Sequence, residues 1–558
     1  MPLVLLVQYP TTPYDGELTG PYAYLFQGYD DVLAGVLAYQ TASIGSFTAD
    51  GAGGINMGEL DANHQSSHPT GTTVASQNFI GTYIVNADSR GFITITTLNP
   101  DGTTDQTFTY AISLKVPVSP ATVSTQGTLI EYDNDQLVGT KGSGQLLAQT
   151  SAAFSAGLNG SYAFGLSGDT PCLISCTVGI ASGPVATVGE FTTDGAGNLT
   201  TGTADANIAS FNFANAPLSG SYQTADQNGR LQLEMTNTSI SDGLYPTNFA
   251  VYIVDANHAF MMSTDKHSEF TLLAGTAQLQ TLPSFSNASM NSAFIGYENA
   301  QSNPGLLGTT LQNVLNYSSS TIFRASGDGA GTCNTTNVDM GGLTSTIDGL
   351  TGLTNGDKNN LISALLGSYA STGTSSCTVS SNGRGTLNYP NHSGLVSFLL
   401  GLLGLPTGTP DPRIFYLVGP NQGYFLETGY AGLGQFEPQT GAPFSLATFN
   451  GEFVIGTIPA SSLASVNSSG YVIADGAGNA TYTLDENVGV GTLNVLKLGV
   501  IATTTYSLSD NNSNVTAASA GRYVLADGTT VIYAISPGRF VVVDMNPLAT
   551  SPGVSLAH

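Results

Sequence analysis

The sequence predicts an all-β protein built as a tandem array of four antiparallel up-and-down β-barrel or sandwich domains. Three observations support this prediction. A hairpin with the core Asp-Gly-Ala-Gly recurs four times along the chain. The segments between its copies alternate apolar and polar residues, which is the period of a strand rather than a helix. Finally, 558 residues exceed what one hydrophobic core usually holds, whereas four repeats match ordinary domain sizes.

The repeated hairpin is clearest as "FTTDGAGNLTTGTADAN", which begins at Phe191. Asp-Gly and Gly-Asn accept the positive φ angles of tight hairpin turns. The turn supplies too few acidic ligands for a calcium loop, and no helix follows that could hold a phosphate. We therefore predict a structural turn in each unit, at these four aspartates: Asp50, Asp194, Asp328 and Asp475.

Each unit contains about eight short strands in hairpin succession, as the second unit shows most clearly. "GSYAFGLSG" reads as its first strand, and "SGSYQTADQNGRLQLEMTN" and "NFAVYIVDANHAFMMSTD" read as its later hairpins. When each strand is followed by its neighbour, the simplest closed arrangement is an up-and-down barrel, since closure removes exposed edges. A two-sheet sandwich remains the alternative.

The spacing of the repeats divides the chain into an N-terminal strand (1–18) and domains at 19–150, 151–282, 283–441 and 442–558. The third domain carries two apolar insertions, around 358–369 and 394–408, for which short capping helices are predicted. The linkers repeat an aromatic residue, as in "AAFSAGLNGSYAF". If these aromatics pack under the barrel mouths, the array would be semi-rigid and rod-like.

Composition indicates an extracellular protein. Only 9% of residues are charged, against about 25% in average soluble proteins, so Thr, Ser, Asn and Gln supply the polarity. The formal net charge of −26 argues against nucleic acid as a partner, because phosphate binding needs clustered Lys and Arg. No stretch reaches the roughly 18 apolar residues of a membrane span.

The four cysteines fall into two pairs. Cys172 and Cys176 could close a small loop in the second unit, and Cys333 and Cys377 could join neighbouring strands in the third. A sparse, even set of cysteines in such a chain indicates disulfides rather than a metal site, although free buried thiols remain an alternative.

Three of the seven arginines, Arg90, Arg230 and Arg384, occupy the same turn of successive units. One interpretation makes each a clamp for a carboxylate or phosphate ligand. The favoured interpretation is structural: each pairs with the repeated acid or with backbone carbonyls and closes one barrel end. The repeated acids are Asp61, Asp205 and Asp339. The fourth unit has no arginine at the matching turn, although Arg522 and Arg539 lie nearby.

No catalytic, metal or cofactor motif emerges. The chain lacks a Gly-x-Ser-x-Gly elbow, a phosphate-binding P-loop and a His-Glu-x-x-His motif. An acidic pair of the glycosidase type could meet only in space, and the absence of Trp argues against a sugar-cleaving cleft. We therefore expect no enzymatic activity, no cofactor and no metal.

The first residues look like the closing strand of a missing unit. "LVLLVQYPTTPY" stands where "GQLLAQT", "AQLQTLP" and "GQFEPQT" stand before the next linker. Donated to a neighbouring copy, such a strand would join subunits head to tail. The donor residues would be Leu3, Val4, Leu5, Leu6, Val7 and Gln8, and the acceptor region would include Val554 and Leu556. Ordinary packing on the first unit is the alternative.

The F-T-x-D-G-x-G-N hairpin, followed by G-x-Y and N-G-R-G, resembles a repeat of uncharacterised secreted bacterial proteins. The meander is also similar to the calycin barrels in topology. The resemblance implies a secreted β-rich protein and carries no known catalytic residues. We expect a structural or adhesive protein of the cell surface, in one form a filament subunit that binds copies of itself. The alternative is a secreted module whose barrels bind glycans or small apolar ligands.

Overall fold

The computed structural model describes residues 11–558 except for 32–37, 65–73, 133–138, 171–182, 209–210, 241–244, 267–269, 302–317, 342–366, 388–411, 429–430, 459–465, 491–492, 511–515 and 546–553. Of the predicted helical insertions of the third domain, 394–408 and residues 358–366 lie outside the described residues, whereas 367–369 belong to strand β20 and not to a helix. Within the described part of the chain, no helix is long and apolar enough to cross a membrane.

The first two barrels contain eight strands each. Barrel 1 consists of β1 Thr19–Asp31, β2 Ala38–Asp50, β3 Gly54–His64, β4 Val74–Val85, β5 Arg90–Leu98, β6 Thr104–Leu114, β7 Gln126–Glu131 and β8 Gly139–Ala148. Barrel 2 consists of β9 Asn159–Thr170, β10 Gly183–Asp194, β11 Asn198–Ile208, β12 Phe211–Tyr222, β13 Arg230–Asn237, β14 Asn248–Ile253, β15 His258–Ser263 and β16 Leu272–Leu279.

The second half of the chain repeats this arrangement. Barrel 3 consists of β17 Ala293–Gln301, β18 Ser318–Gly327, β19 Thr332–Gly341, β20 Gly367–Ser376, β21 Arg384–Leu387, β22 Arg413–Gly419, β23 Gln422–Glu427 and β24 Ala431–Pro438. Barrel 4 consists of β25 Asn450–Thr457, β26 Val466–Asp475, β27 Asn479–Val490, β28 Leu493–Leu508, β29 Arg522–Leu525, β30 Thr530–Ser536, β31 Arg539–Asp544 and β32 Val554–Ala557. The described helices are α1 (Ala517–Ala520) and 3-10 turns at Asp15–Glu17, Ser151–Ala156, Asn287–Ser289 and Leu446–Thr448.

Apart from β20 and β21, the strands of each unit pair antiparallel with their neighbours in sequence, and the last strand of each unit pairs with the first. Barrels 1, 2 and 4 close fully; barrel 3 has the same strand order, and its outer strands β20 and β21 contact each other. The first and last strands pair over ten residues in barrel 1 and eight in barrels 2 and 3. In barrel 4 the corresponding pairing of β25 with β32 covers only three residues.

The repeated Asp-Gly-Ala-Gly turn is a structural corner in all four barrels. In barrel 2, Asp194 Oδ1 accepts hydrogen bonds from the backbone N–H groups of Ala196 and Asn198, at 2.8 and 3.0 Å. Gly195 and Gly197 adopt φ angles of 71° and 104°, which side chains disfavour. The same pair of backbone bonds is made by the other three aspartates: Asp50, Asp328 and Asp475.

Each barrel has its own core of buried aromatic and aliphatic side chains. In barrel 2 the rings of Phe164 and Phe191 pack together with their centroids 5.9 Å apart. The repeated linker aromatics join the core of the barrel that follows them, where Phe154, Phe285 and Phe444 are all buried. Each linker therefore packs against one end of the barrel that follows it, which limits how far neighbouring barrels can rotate relative to each other.

The four barrels form a closed ring, so the prediction of a rod-like array is wrong. Strands β1–β2 of barrel 1 contact β14–β16 of barrel 2, and equivalent strands join barrels 2 to 3 and 3 to 4. Strands β25–β27 of barrel 4 then contact β6–β8 of barrel 1. Each contact uses one face of the first barrel and a different face of the next, and such a heterologous contact closes when the rotation brings the last unit back to the first.

Candidate functional site

The contacts between barrels contain a buried polar cluster that recurs around the ring. Between barrels 1 and 2, the guanidinium of Arg230 donates to both carboxylate oxygens of Asp61, at 2.7 and 2.8 Å. The Tyr252 hydroxyl donates to the same carboxylate at 2.9 Å. The backbone N–H of Ser76 donates a further bond to it, at 3.0 Å. We call this arrangement the Asp–Arg–Tyr cluster.

The arginine and tyrosine of each cluster come from the barrel that follows the aspartate in sequence. The carboxylate of Asp205 in barrel 2 binds Arg384 and Tyr416 of barrel 3. The carboxylate of Asp339 in barrel 3 binds Arg522 and Tyr533 of barrel 4. The predicted arginines thus pair with the repeated acids, but the prediction that each pair closes one barrel end is wrong. The pairs join two barrels, because arginine and aspartate stand on outward faces that meet.

Burial and charge determine the protonation states of the clusters. Asp61 and Tyr252 are fully buried. Burial raises the pKa of the Tyr252 hydroxyl well above its ordinary value, and the negative charge of Asp61 raises it further. Burial also opposes the charge on Arg230, but the hydrogen bonds and charge of Asp61 outweigh it and leave the arginine pKa above its ordinary value. Each cluster is therefore a buried ion pair with a neutral tyrosine donor.

The junction of barrel 4 with barrel 1 has a reduced version of this cluster. Arg90 of barrel 1 donates one bond to Asp485 of barrel 4, at 2.5 Å, while its Nε donates to Asp88 of its own turn. Ser113 occupies the register position opposite Arg90, where Tyr252 stands opposite Arg230. Among the described residues, this cluster therefore has neither the bidentate geometry nor the tyrosine.

The four junctions also differ in their apolar packing. A cluster of buried apolar residues spans each of the first three, for example Leu25 and Ile44 of barrel 1 against Phe260 and Met262 of barrel 2. Among the described residues no such cluster spans barrels 4 and 1. Small polar groups meet there instead, with the Thr128 and Ser469 hydroxyls 2.7 Å apart.

A second repeated contact, which we call the glutamine bracket, joins the residues just after the last strand of one barrel to the backbone of the next barrel. The Gln149 side-chain amide donates to the carbonyls of Asn228 and Ile253 in barrel 2, at 3.2 and 2.7 Å. The backbone N–H of Thr150 donates to the carbonyl of Val254 at 2.7 Å. The same contacts recur at the next two junctions. The Gln280 amide donates to the carbonyls of Asn382 and Leu417, and the N–H of Thr281 donates to that of Val418. The Gln439 amide donates to the carbonyls of Ala520 and Ala534, and the N–H of Thr440 donates to that of Ile535.

Space remains near the middle of the ring. One cavity is lined by residues of all four barrels, among them Leu25, Gly165, Tyr297 and Leu556. A second, of about 520 Å³, shares part of its lining with the first and lies mainly among barrels 1, 2 and 4. Among the described residues, no group of three or more His, Cys, Asp or Glu side chains could hold a metal ion.

The remaining predicted residues are placed as follows. Cys333 and Cys377 form a disulfide. Cys172, Cys176 and the donor segment Leu3–Gln8 lie outside the described residues. Val554 and Leu556, predicted as an acceptor region, belong to β32, which pairs on both sides within barrel 4.

The sequence interpretation missed the tyrosines and glutamines of the inter-barrel contacts. Their signal is present: Tyr252, Tyr416 and Tyr533 recur in the third hairpin of units two to four, and a Gln-Thr pair ends units one to three. The prediction that the fourth unit has no arginine at the matching turn is wrong: Arg522 stands opposite Tyr533 just as Arg230 stands opposite Tyr252.

Comparisons with known proteins add little to this geometry. No protein-family model matches the chain, and a search of curated proteins finds no match. Among solved structures, the chain is similar at 8% identity to "Copper transporter OprC", over 97% of this chain and 80% of that one. The TM-score is 0.10, which carries no argument about fold or function.

Proposed function

We propose that this protein is a secreted structural or adhesive protein of the cell surface, in which the ring of barrels is a stiff scaffold. The observation that carries the proposal is the packing: each barrel has its own buried core, and buried ion pairs hold neighbouring barrels together. The disulfide between Cys333 and Cys377 is typical of proteins that fold in an oxidising compartment. The proposal assigns no catalytic activity.

A filament joined by strand donation is the more specific form of this proposal. The acceptor would be barrel 4, whose closing strand β32 pairs with β25 over only three residues and is therefore the easiest of the closing strands to displace. The donor would be Leu3–Gln8 of another copy, adding backbone hydrogen bonds and apolar side chains.

Electron microscopy with sedimentation tests the filament form. The intact chain should polymerise with increasing concentration, and a chain lacking residues 1–9 should remain single. Single particles from both proteins at all concentrations would refute strand donation. The scaffold proposal itself is tested by incubating the labelled single particle with the producing cells, since failure to be retained on their surface would contradict it.

The alternative, a secreted binding module, is favoured by one observation. The cavity of about 520 Å³ near the ring centre has both polar and apolar walls, including Gln278, Phe260 and Arg539. A ligand would therefore bind between barrels and not inside one. A thermal-shift screen with glycans and fatty acids tests this alternative: a saturable rise in melting temperature supports it, and no shift with any compound refutes it.

A further inference from the structure

The outward faces of the closing strands meet at the centre of the ring. Each closing strand contributes one side chain to the wall of the cavity shared by all four barrels: Gln145, Thr276, Gln435 and Leu556. Their register partners each follow a buried aromatic residue of the first strand by three positions: Leu25, Gly165, Tyr297 and Gly456. Equivalent positions of the four barrels therefore line the same space.

The wall of this cavity is polar but uncharged. Five of the described residues that line it carry side-chain amides: Gln27, Gln40, Gln145, Asn299 and Gln435. Ser167, Thr276 and Tyr297 add hydroxyl groups, and no described residue in this wall is an acid, a lysine, an arginine or a histidine. A charged ligand would lose its hydration here without meeting a counter-charge, which is costly. The wall therefore favours a neutral ligand.

Two neighbouring cavities share parts of this wall. The cavity of about 520 Å³ has Gln435 in common with the first, and a third of about 290 Å³ has Gln278 in common with the second. Sites for small ligands have volumes of about 300–1,000 Å³, so this space is large enough for one. The Arg539 guanidinium in the walls of both neighbours is already paired, since it donates to the two carboxylate oxygens of Glu437 at 2.7 and 2.8 Å.

Two buried amide atoms in these walls have no hydrogen-bond partner among the described residues. One is Oε1 of Gln40, in the wall of the first cavity, and the other is Nε2 of Gln126, in the wall of the second. A buried polar atom without a hydrogen bond is unfavourable, so a bound group that supplies the missing bond is stabilised. Because one atom accepts and the other donates, a ligand that satisfies both must itself donate and accept.

A neutral sugar has this combination of groups. Each hydroxyl donates one hydrogen bond and accepts others, and a carboxamide offers an acceptor oxygen and two N–H donors in return. Leu25 and Leu556 supply apolar surface for the C–H groups of a sugar ring. A fatty acid would instead bury its alkyl chain against unpaired amides, which is unfavourable.

We propose that the central cavities of the ring bind a short neutral oligosaccharide, whose hydroxyl groups bond to Gln40 and Gln126 and to the layer of Gln145, Thr276 and Gln435. This inference rests on the binding-module alternative and narrows its ligand class from glycans or apolar molecules to neutral sugars. All four barrels contribute to the wall, so the complete site exists only in the closed ring.

Isothermal titration calorimetry of the full chain tests the proposal. The neutral sugars are maltotriose, cellotriose and triacetylchitotriose, and laurate is the apolar compound. At least one sugar should bind saturably, and laurate should not. Binding of laurate alone would overturn the sugar assignment and leave the binding module standing. Binding of none of these compounds would overturn both.

Two substitutions test the position of the site. Gln40→Leu and Gln126→Leu each remove an atom that the sugar is expected to bind, and each should weaken sugar binding roughly tenfold. Gln106→Leu is the matched control, because Gln106 is exposed on β6 and should leave the affinity unchanged. Sugar binding that neither Gln40→Leu nor Gln126→Leu weakens would lie elsewhere on the chain and would overturn the proposal.

Thermal denaturation of the sugar-free variants separates binding from folding. Since Nε2 of Gln126 has no partner within the described protein, Gln126→Leu should leave the melting midpoint unchanged or raise it. A lowered midpoint together with lost binding would show that Gln126 supports the ring and not a ligand, and would overturn its assignment.

Discussion

Removing one partner of the most buried inter-barrel ion pair should separate barrels 3 and 4. Arg522 binds Asp339 through two bonds of 2.8 Å, and their side chains are 4% and 0% exposed. Leaving a buried charge without its partner costs about 3–5 kcal/mol. Arg522→Met should therefore lower the stability of this contact by about that amount.

A combined variant distinguishes the ion pair from simple packing. Replacing a buried ion pair by apolar residues of similar volume is often neutral or stabilising. Asp339→Leu with Arg522→Met and Tyr533→Phe removes the charges and the hydroxyl that would otherwise lose its acceptor. This triple variant should recover most of the stability lost in Arg522→Met.

Urea unfolding and hydrogen exchange of β18–β19 and β29–β31 measure both variants. Lys497→Met is the matched control in barrel 4, since Lys497 forms only an exposed pair with Glu486, at 3.9 Å. Exposed pairs contribute about 0–1 kcal/mol. A loss in Arg522→Met no larger than in Lys497→Met, or a triple variant weaker than the single one, would refute the reasoning.

Three further predictions concern single barrels. Burial and a neighbouring guanidinium lower the pKa of His558 to about 3. Between about pH 6.5 and 3 the unfolded chain therefore binds a proton at this imidazole that the folded chain does not bind. The free energy of unfolding should fall as the pH drops from 7 to 5, and His558→Gln should reduce this pH dependence in urea unfolding. Cys333→Ser with Cys377→Ser opens a loop of 44 residues, which should cost barrel 3 up to about 4 kcal/mol; calorimetry showing no loss would contradict this. A Cβ on Gly296 would lie 2.0 Å from the Phe323 ring, so Gly296→Ala should cost about 1–3 kcal/mol by thermal denaturation, and an unchanged midpoint would show that the ring moves aside freely.

The fold of each barrel could be predicted because its signals are local. The turn at Asp194 needs glycines one and three positions after the aspartate in its own hairpin, and strand alternation is visible within a few residues. The identity of the hydrogen-bonding partner across each hairpin follows from the turn itself.

The ring could not be predicted because its contacts join residues far apart in sequence. Arg90 meets Asp485 across most of the chain, and a turn arginine carries no local sign of which barrel holds its partner. The same holds for Gln149, whose amide looks like any polar residue at a strand end until its acceptors in barrel 2 are known. The repetition of these residues indicated that they share a structural role, but it did not indicate that they form contacts between barrels.

Small-angle X-ray scattering of the monomeric chain tests the central claim, that four barrels close into a ring, most directly. The account predicts a maximum dimension little greater than that of two barrels side by side and a profile that fits the closed ring. A maximum dimension approaching four barrels in line would contradict it, and the contact of Arg90 with Asp485 would then not exist in solution.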